Sequence, residues 1–239
     1  MMPGVAHLYA VMDATWPAAS ESDIGPWLIR NGHGGGKRVS AALATRAATP
    51  EELPRAEAAM QALGQTPLFM IRQSELRLDA MLGAAGYDVI DPVNIYAAPV
   101  GDIATERPPR VTTFAIWEPL AIMRDIWAAG GIGPGRLAVM DRATCPKTGL
   151  LGRSNNRPAA TAYVGLHEGV AMLHALEVLS RHRREGLGRY MMREAAFWAQ
   201  AQGASHISVI CTKANRAANA LYHSLGMTLV GDYHYRIKG

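Results

Sequence analysis

Residues 172–188 read MLHALEVLSRHRREGLG, and this stretch decides how the rest of the chain is interpreted. An apolar segment from Met172 to Leu179 is followed by a basic loop, by Gly186-Leu187-Gly188 and by an amphipathic pattern that ends near Gln202. That order predicts a strand, a tight loop and a helix. The first N–H groups of a helix have no partner within the helix, and glycines let a phosphate approach the backbone closely. The stretch therefore predicts an anion-binding site.

The composition is that of a folded protein with a mildly basic charge. The chain has 239 residues, of which 49% are hydrophobic and 18% charged, and this balance argues against disorder. The net charge of +4 is densest around Arg181–Arg184, without the interleaved aromatic residues of a nucleic-acid surface. A small polyanionic ligand therefore fits better than nucleic acid, although such a run can also be a solvated loop.

The cysteines and the apolar runs predict a cytoplasmic protein. Cys145 and Cys211 lie far apart and form no zinc-type or disulfide-type spacing, as expected of free thiols in a reducing compartment. The N-terminus shows no secretory pattern, and no uninterrupted apolar run approaches the roughly 20 residues that span a bilayer. The eight histidines form no HxH or HExxH motif. We therefore expect neither a membrane partner nor a bound metal.

A linker-like segment predicts two units, residues 1–104 and 105–239. Residues 101–109 read GDIATERPP, and the paired prolines exclude a helix or a central strand there. Each unit contains a strand, a helix, a glycine and a final strand, with 15 residues from Ile71 to Gly86 and 16 from Ile210 to Gly226. This similarity predicts a duplicated α/β unit, whose first copy has lost the basic loop and its glycines.

Several further segments carry structural predictions. Residues 32–36 are rich in glycine but do not fit the GxxxxGK[ST] phosphate loop, so we expect a hairpin loop there and a strand over residues 38–43. Residues 130–135 read GGIGPG, lack GxGxxG spacing and predict a turn. Neither glycine pattern therefore supports a site for NAD or ATP. Residues 141–159 predict a long loop, because they contain several prolines, glycines and asparagines.

The strand–loop–helix junction contains a motif that resembles the GCN5-related N-acetyltransferase (GNAT) superfamily. The motif V-x-[PS]-x-x-[QR]-x-x-G-x-G is matched by Val178, Arg183, Gly186 and Gly188. Ser180 stands where many members have proline, and we expect this departure to be tolerated.

A second motif of the same superfamily follows at the expected distance. Residues 215–227 read NRAANALYHSLGM and match N-x-x-A-x-x-L-Y-x-x-L-G-M, and residues 233–236 read YHYR. The resemblance covers roughly residues 110–239. It implies a mixed α/β (α+β) fold with a mostly antiparallel sheet flanked by helices. The first hundred residues resemble a smaller, degenerate second copy, as in tandem members.

The resemblance implies acetyl-CoA as the co-substrate. Its pyrophosphate would lie on the N–H groups of the glycine loop, and its pantetheine arm would pair with the backbone of the preceding strand. Asn215 would hold the arm, although it could equally be the N-cap of the following helix. The implied coenzyme site comprises Leu176, Val178, Arg183, Arg184, Glu185, Gly186, Leu187, Gly188 and Asn215.

The resemblance also implies direct attack of an amine on the thioester. Tyr222 matches the family position of the acid that protonates the leaving thiolate, although a tyrosine there could simply pack on the last strand. The base remains open among His174, Glu177 and a chain of water molecules. His174 could instead be a satisfied core residue. Glu177 projects from the opposite face of the strand, so it can serve only if a bulge turns the strand.

These observations predict an N-acetyltransferase whose acceptor is a small-molecule amine. The resemblance implies that residues 118–159 and the last strand build the acceptor pocket. A homodimer is compatible with this resemblance. The alternative is a non-catalytic acyl-CoA-binding sensor or interaction module, which retains the cleft without turnover.

Overall fold

The structure is a computed structural model that describes residues 1–238. The helices of these residues are α1 (Val5–Thr15), α2 (Lys37–Ser40), α3 (Leu53–Ala62), α4 (Leu76–Ala84), α5 (Val100–Ile103), α6 (Ala121–Ala129), α7 (Pro134–Arg142), α8 (Leu187–Ala201) and α9 (Arg216–Ser224). The strands are β1 (Ser20–Ile24), β2 (Trp27–Asn31), β3 (Leu43–Ala44), β4 (Leu68–Arg72), β5 (Asp88–Pro99), β6 (Thr113–Ile116), β7 (Lys147–Ser154), β8 (Arg157–His167), β9 (Val170–Val178), β10 (His206–Thr212) and β11 (Thr228–Ile237).

One large mixed sheet organises the molecule. Its eight strands follow the order β4-β11-β5-β10-β9-β8-β7-β6. The neighbouring strands are antiparallel except β9 and β10, which run parallel. Helices α8 and α9 cover one face, and α1 and α6 cover the other. The predicted fold class, a mostly antiparallel mixed sheet flanked by helices, is confirmed.

The apolar periodicity of α8 explains why this helix covers the sheet. Leu187, Met191, Ala195 and Ala199 recur every four residues and are buried. They belong to an apolar layer that also includes Tyr222 of α9. Each fully buried Leu or Met side chain contributes roughly 1.5–3 kcal/mol to folding. This layer fixes the start of α8, where the glycines lie, against the sheet.

A second sheet, β1-β2-β3, lies next to the large one. A parallel bridge between Ala42 and Phe69 joins the two sheets, and the rings of Trp27 and Phe69 have centroids 5.0 Å apart. The connection between β2 and β3 contains the glycine-rich segment. Its Gly34 lies so close to Gly135 that a side chain at position 135 would meet the Gly34 carbonyl. The small sheet thereby presents this segment to α7.

The two predicted units share the large sheet. Strand β5 lies between β10 and β11, and β11 lies between β4 and β5. If β4-α4-β5 and β10-α9-β11 exchange places, the order β4-β11-β5-β10 becomes β10-β5-β11-β4. This is the original order read from the other end. The division into residues 1–104 and 105–239 stays a prediction.

The structure corrects the prediction for residues 38–43. Residues 37–40 form the short helix α2, and only 43–44 pair with β2. The predicted turn over 130–135 is also too long, because α7 begins at Pro134. Proline is favoured in the first turn of a helix, where its missing N–H costs nothing.

The predicted long loop over 141–159 is wrong. Strands β7 and β8 form a hairpin there, with Asn155 and Asn156 at its tip. Both asparagines have positive φ, 50° and 59°, as a tight hairpin turn requires. Asparagine tolerates this left-handed conformation better than most residues do. The asparagine pair was therefore a turn signal within a strand pair rather than part of an extended loop.

Candidate active site

The gap between β9 and β10 creates the main cavity. Val170 of β9 pairs with His206 of β10, and the pairing continues as far as Leu173 and Val209. Beyond these residues the strands are no longer paired with each other, although both continue. A cavity of about 1210 Å³ begins at this separation, and the ends of both strands form part of its wall. The motif residues of the sequence analysis surround the gap.

A bulge in β9 determines which side chains face this cavity. Ala175 has a φ of +52°, and the register with β8 shifts because Tyr163 is opposite His174 whereas Thr161 is opposite Glu177. Two residues of β9 therefore oppose one residue of β8, which reverses the alternation of side chains. His174 and Glu177 consequently lie on the same face of the sheet, and both line the cavity.

The imidazole of His174 is buried and fully engaged. Its Nδ1 lies 3.0 Å from Nη1 of Arg38, and its Nε2 lies 2.8 Å from the Thr15 hydroxyl. Since the guanidinium can only donate, Nδ1 is the acceptor, and we assign the proton to Nε2. The Thr15 hydroxyl in turn donates to the Val11 carbonyl at 2.7 Å. Burial, followed by the charge of Arg38, holds the pKa of His174 well below its ordinary value.

Glu177 is the carboxylate that β9 contributes to the cavity wall. Its Oε1 accepts a hydrogen bond from Nη2 of Arg183 at 3.1 Å, and the side chain is 18% exposed. Nε of Arg183 also donates to the Val178 carbonyl at 3.0 Å. Arg183 is thus held across the end of β9, while Glu177 remains accessible from the cavity.

Tyr222 reaches the cavity from the opposite face. It is 4% exposed, and its ring lies 5.8 Å from that of Tyr96 between centroids. Burial, with a smaller effect of Cys211, raises the pKa of its phenol above the ordinary value. The hydroxyl therefore keeps its proton at neutral pH and can act as a donor.

The glycine loop has the geometry of an anion site. Gly186 caps the N-terminus of α8 with a φ of +79°, and Arg184 is also left-handed with a φ of +66°. A side chain added to Gly188 would come within 3.1 Å of Leu221. The loop therefore turns tightly and brings the start of α8, a helix of 15 residues, to the cavity wall. The helix dipole favours an anion there.

The structure brings most of the predicted coenzyme residues together. Glu185 is the exception, because its carboxylate accepts from the Ser154 hydroxyl at 2.7 Å and lies 3.4 Å from Nδ1 of His182. Asn215 does cap α9, since its Oδ1 accepts from the Ala218 N–H at 3.1 Å. The predicted residues that line the cavity are Leu176, Val178, Arg183, Arg184, Gly186, Leu187, Gly188 and Asn215.

The position of the acceptor pocket stays a prediction, and the cavity wall includes only some of the segments expected to build it. The last strand contributes Tyr233 and Tyr235, as expected, but residues 118–159 contribute only Ile132 and Arg136. The N-terminal unit supplies seven residues of the cavity wall. Its contribution, missed by the sequence analysis, consists of Trp16, Gly35, Gly36, Lys37, Arg38, Asp91 and Val93. The glycines and basic residues at 34–38 were the sequence feature that could have indicated this contribution to the cavity.

The cavity connects the two faces of the sheet. Leu176, Val178 and Tyr222 belong to the apolar layer under α8 and α9. Trp16 and Tyr235 belong to the layers on the other face. A ligand lying in the gap therefore meets the glycine loop on one face and the N-terminal unit on the other.

Comparisons with known proteins agree with this geometry. Residues 122–227 match the model of the acetyltransferase (GNAT) family. An uncharacterized N-acetyltransferase, YobR, of Bacillus subtilis (strain 168) is 27% identical over 247 residues, which cover 99% of this chain and 100% of that protein. The matched region, which is less than half of the chain, therefore resembles the GNAT superfamily. Members of this family are acyltransferases, and the family uses acetyl-CoA as its co-substrate.

Solved structures share the fold over nearly the whole chain. A GCN5-related N-acetyltransferase from Kribbella flavida has a TM-score of 0.71 and 20% identity, covering 99% of this chain and 96% of that one. A tandem GNAT protein from the clavulanic acid biosynthesis pathway has a TM-score of 0.61 and 10% identity, covering 96% and 86%. At such identities the likeness concerns the fold alone.

Two features are absent from residues 1–238. No three His, Cys, Asp or Glu side chains among them are grouped as metal ligands. No helix among them has both the length and the apolar character of a membrane span.

Proposed function

We propose that this protein is a GNAT enzyme that transfers the acetyl group of acetyl-CoA to the amino group of a small molecule. The observation that carries the proposal is the gap between β9 and β10. On one face of the sheet it meets the glycine loop and a protonated phenol, and on the other face a carboxylate. This arrangement lets a thioester and an amine meet from opposite sides.

The residues at the gap suit the coenzyme. The N–H groups at the start of α8 would hold the pyrophosphate, and Arg184 and Arg189 on the cavity wall add positive charge. The pantetheine arm contains two amide groups. Beyond Leu173 the edge of β9 that faces β10 has no paired strand among the described residues, so the backbone of Leu176 and Val178 can pair with those amides as a strand would.

Two side chains would manage the protons of the reaction. Glu177, directly or through water, takes a proton from the acceptor ammonium, and the free amine attacks the thioester carbonyl. The attack forms the C–N bond and a tetrahedral oxyanion, whose collapse breaks the C–S bond. The nitrogen loses its second proton in this step, and that proton returns through water to Tyr222 after the tyrosine has protonated the thiolate. The Tyr222 hydroxyl gives its proton to the departing thiolate, and backbone N–H groups near Val178 stabilise the oxyanion.

We propose that His174 positions other groups rather than acting as the base. Its Nδ1 lone pair is occupied by Arg38, and its Nε2 proton is directed to Thr15. A base needs a free lone pair directed at the substrate, and this ring has none. The low pKa that burial produces also opposes protonation.

Thiol release from acetyl-CoA in the presence of a panel of primary amines tests the proposal. We expect amine-dependent release of CoA together with an acetylated amine. Tight binding of acetyl-CoA without turnover on any amine would instead favour the non-catalytic sensor or interaction module. A cytoplasmic location stays a prediction.

A further inference from the structure

Arg38 is a cation on the acceptor side of the cavity for which the protein supplies no counter-ion. Its side chain is half-buried and lines the cavity. Nη1 is held by His174 at 3.0 Å, the guanidinium carbon lies 5.7 Å from the centre of the Trp16 ring, and Nε is buried without a hydrogen-bond partner. An arginine side chain remains charged at every pH of interest.

The two other interior cations of the N-terminal unit, and the exposed Lys37, are paired with carboxylates. Arg30, which is 2% exposed, has its Nη1 3.2 Å from Oδ1 of Asp13, and Arg72 binds the same carboxylate at 2.5 Å. Lys37, next to Arg38 in sequence, pairs with Asp91. Among residues 1–238 no carboxylate forms an ion pair with Arg38.

The neighbours of Arg38 orient the guanidinium without neutralising it. His174 accepts a hydrogen bond in its neutral form, so it adds no negative charge. Tyr233 and Tyr235 lie beside the guanidinium, and burial raises the pKa of Tyr235 well above its ordinary value. A guanidinium held in such an apolar, aromatic setting without a counter-ion is costly. The site is therefore electrostatically incomplete in the absence of an anion.

We propose that Arg38 binds a carboxylate of the acceptor, so that the enzyme acetylates amines that also carry a carboxylate group. The planar guanidinium matches the two oxygens of a carboxylate, which it can bind with two parallel hydrogen bonds. The proposed base Glu177 lies three residues along the same strand from His174, so one molecule can reach both groups. The coenzyme phosphates bind on the opposite face, at the start of α8, and are not the counter-ion.

This inference rests on the proposed function, and binding measurements separate the two. The protein is saturated with CoA and titrated calorimetrically with matched pairs of ligands: glycine and methylamine, β-alanine and ethylamine, γ-aminobutyrate and propylamine, phenylalanine and phenethylamine. For the pair that fits the cavity, we expect the carboxylated member to bind about 10- to 100-fold more tightly, as charge-assisted hydrogen bonds allow.

Variants assign this preference to Arg38. Arg38→Gln should abolish the preference and leave the affinity for the amine lacking the carboxylate unchanged. Arg38→Lys keeps the charge but loses the planar fork, and should retain part of the preference. Lys37→Gln is the matched control, because Lys37 lines the same cavity but is already paired with Asp91. Unchanged affinity for CoA in all three variants shows that they are folded.

The outcomes are distinct. A wild-type protein without carboxylate preference in any pair overturns the inference, and so does an equal loss of affinity for both members in Arg38→Gln. Acetylation of both members with equal efficiency leaves the proposed function standing and overturns the inference. Arg38-dependent binding of the carboxylated amine without acetyl transfer supports the inference and contradicts the proposed function.

Discussion

Glu177 and Tyr222 approach the gap in the sheet from opposite faces. This placement separates the two proton transfers of the proposed reaction, because the amine loses its proton on the acceptor side and the thiolate gains one on the coenzyme side. Glu177 shares its face with His174 only because of the bulge at Ala175. The assignment of Glu177 as the proposed base thus depends on a single backbone irregularity.

Replacing Glu177 with glutamine removes the proposed base and keeps the size of the side chain. We expect the kcat for acetyl transfer to fall by about 10²- to 10⁴-fold, with little change in the affinity for acetyl-CoA. Steady-state thiol release and calorimetry measure the two quantities. Asp91→Asn is the control, because Asp91 is another carboxylate of the same cavity wall. An equal loss in both variants would show that Glu177 has no special role.

Replacing Tyr222 with phenylalanine tests the proposed acid. The buried ring would stay in place, so we expect retained folding and coenzyme affinity with a lower kcat. Because the pKa of Tyr222 is raised, the phenol remains protonated up to and beyond the ordinary value of about 10. The wild-type pH–rate profile should therefore show no alkaline decline from this group below about pH 10. A decline near neutral pH that Tyr222→Phe removes would contradict this assignment.

His174 predicts a pH dependence of stability rather than of catalysis. Its pKa is lowered in the folded protein, so below the ordinary value of about 6.5 the unfolded chain binds a proton that the folded chain does not. Its contribution to stability is fully present above that pH and falls as the pH decreases, by up to about 1.4 kcal/mol per pH unit.

Urea unfolding of wild type and His174→Gln at about pH 7.5 and about pH 5.5 measures this contribution. The wild type should lose more stability than the variant on acidification. An equal loss in both proteins would mean that the ring is protonated in the folded state. A wild-type pH–rate profile with an acid limb that His174→Gln removes would restore the ring as a candidate base.

At the scale of elements, we propose that coenzyme binding depends on the N-terminus of α8. Gly186 begins this helix with a φ of +79°, and Gly203 follows its other end with a φ of +81°. A side chain added at either glycine would meet no atom within 4 Å. The two positions therefore carry the same backbone strain and differ only in their distance from the cavity.

Gly186→Ala and Gly203→Ala form a matched pair. Each should lower the free energy of unfolding by about 1–2 kcal/mol, because a left-handed conformation is unfavourable for alanine. Only Gly186→Ala should also weaken CoA binding, which calorimetry measures. Equal affinities for CoA in the two variants would contradict the role of the loop as a phosphate cradle.

The sequence predicts α8 well, because its apolar residues recur every three to four positions and glycines mark its start. It also predicts β9, because an apolar segment from Met172 to Leu179 precedes the basic loop. The bulge at Ala175 was not predictable, since it is defined by the register between β9 and β8. Arg38 was missed for a similar reason. It contacts His174 across 136 residues of sequence, and its own segment was interpreted as a strand. Such long-range pairings leave no periodic pattern.

At the scale of the whole molecule, the cavity belongs to both units. We propose that residues 1–104 and 105–239 derive from a duplicated unit, in which the N-terminal copy lost the glycine loop and became a wall of the acceptor site. The symmetric order of β4, β11, β5 and β10 supports this proposal. So does the matching strand–helix–strand spacing of residues 71–86 and 210–226.

The interleaved strands predict that the two units unfold together. Because β5 separates β10 from β11, residues 105–239 cannot form a continuous sheet without the N-terminal unit. Thermal unfolding followed by tryptophan fluorescence and by far-ultraviolet circular dichroism should therefore give one coincident transition. Two separate transitions would indicate independent domains. A fragment of residues 105–239 that folds and binds CoA would indicate the same.

The central claim is that this cavity joins an acetyl thioester to an amine. The most direct measurement is mass spectrometry of the reaction of the 239-residue protein with acetyl-CoA labelled with ¹³C in its acetyl group, in the presence of amines that carry a carboxylate. The predicted result is an amide containing the label, formed in the same amount as free CoA. Free CoA with labelled acetate and no amide would contradict the claim, and so would bound acetyl-CoA that is never consumed.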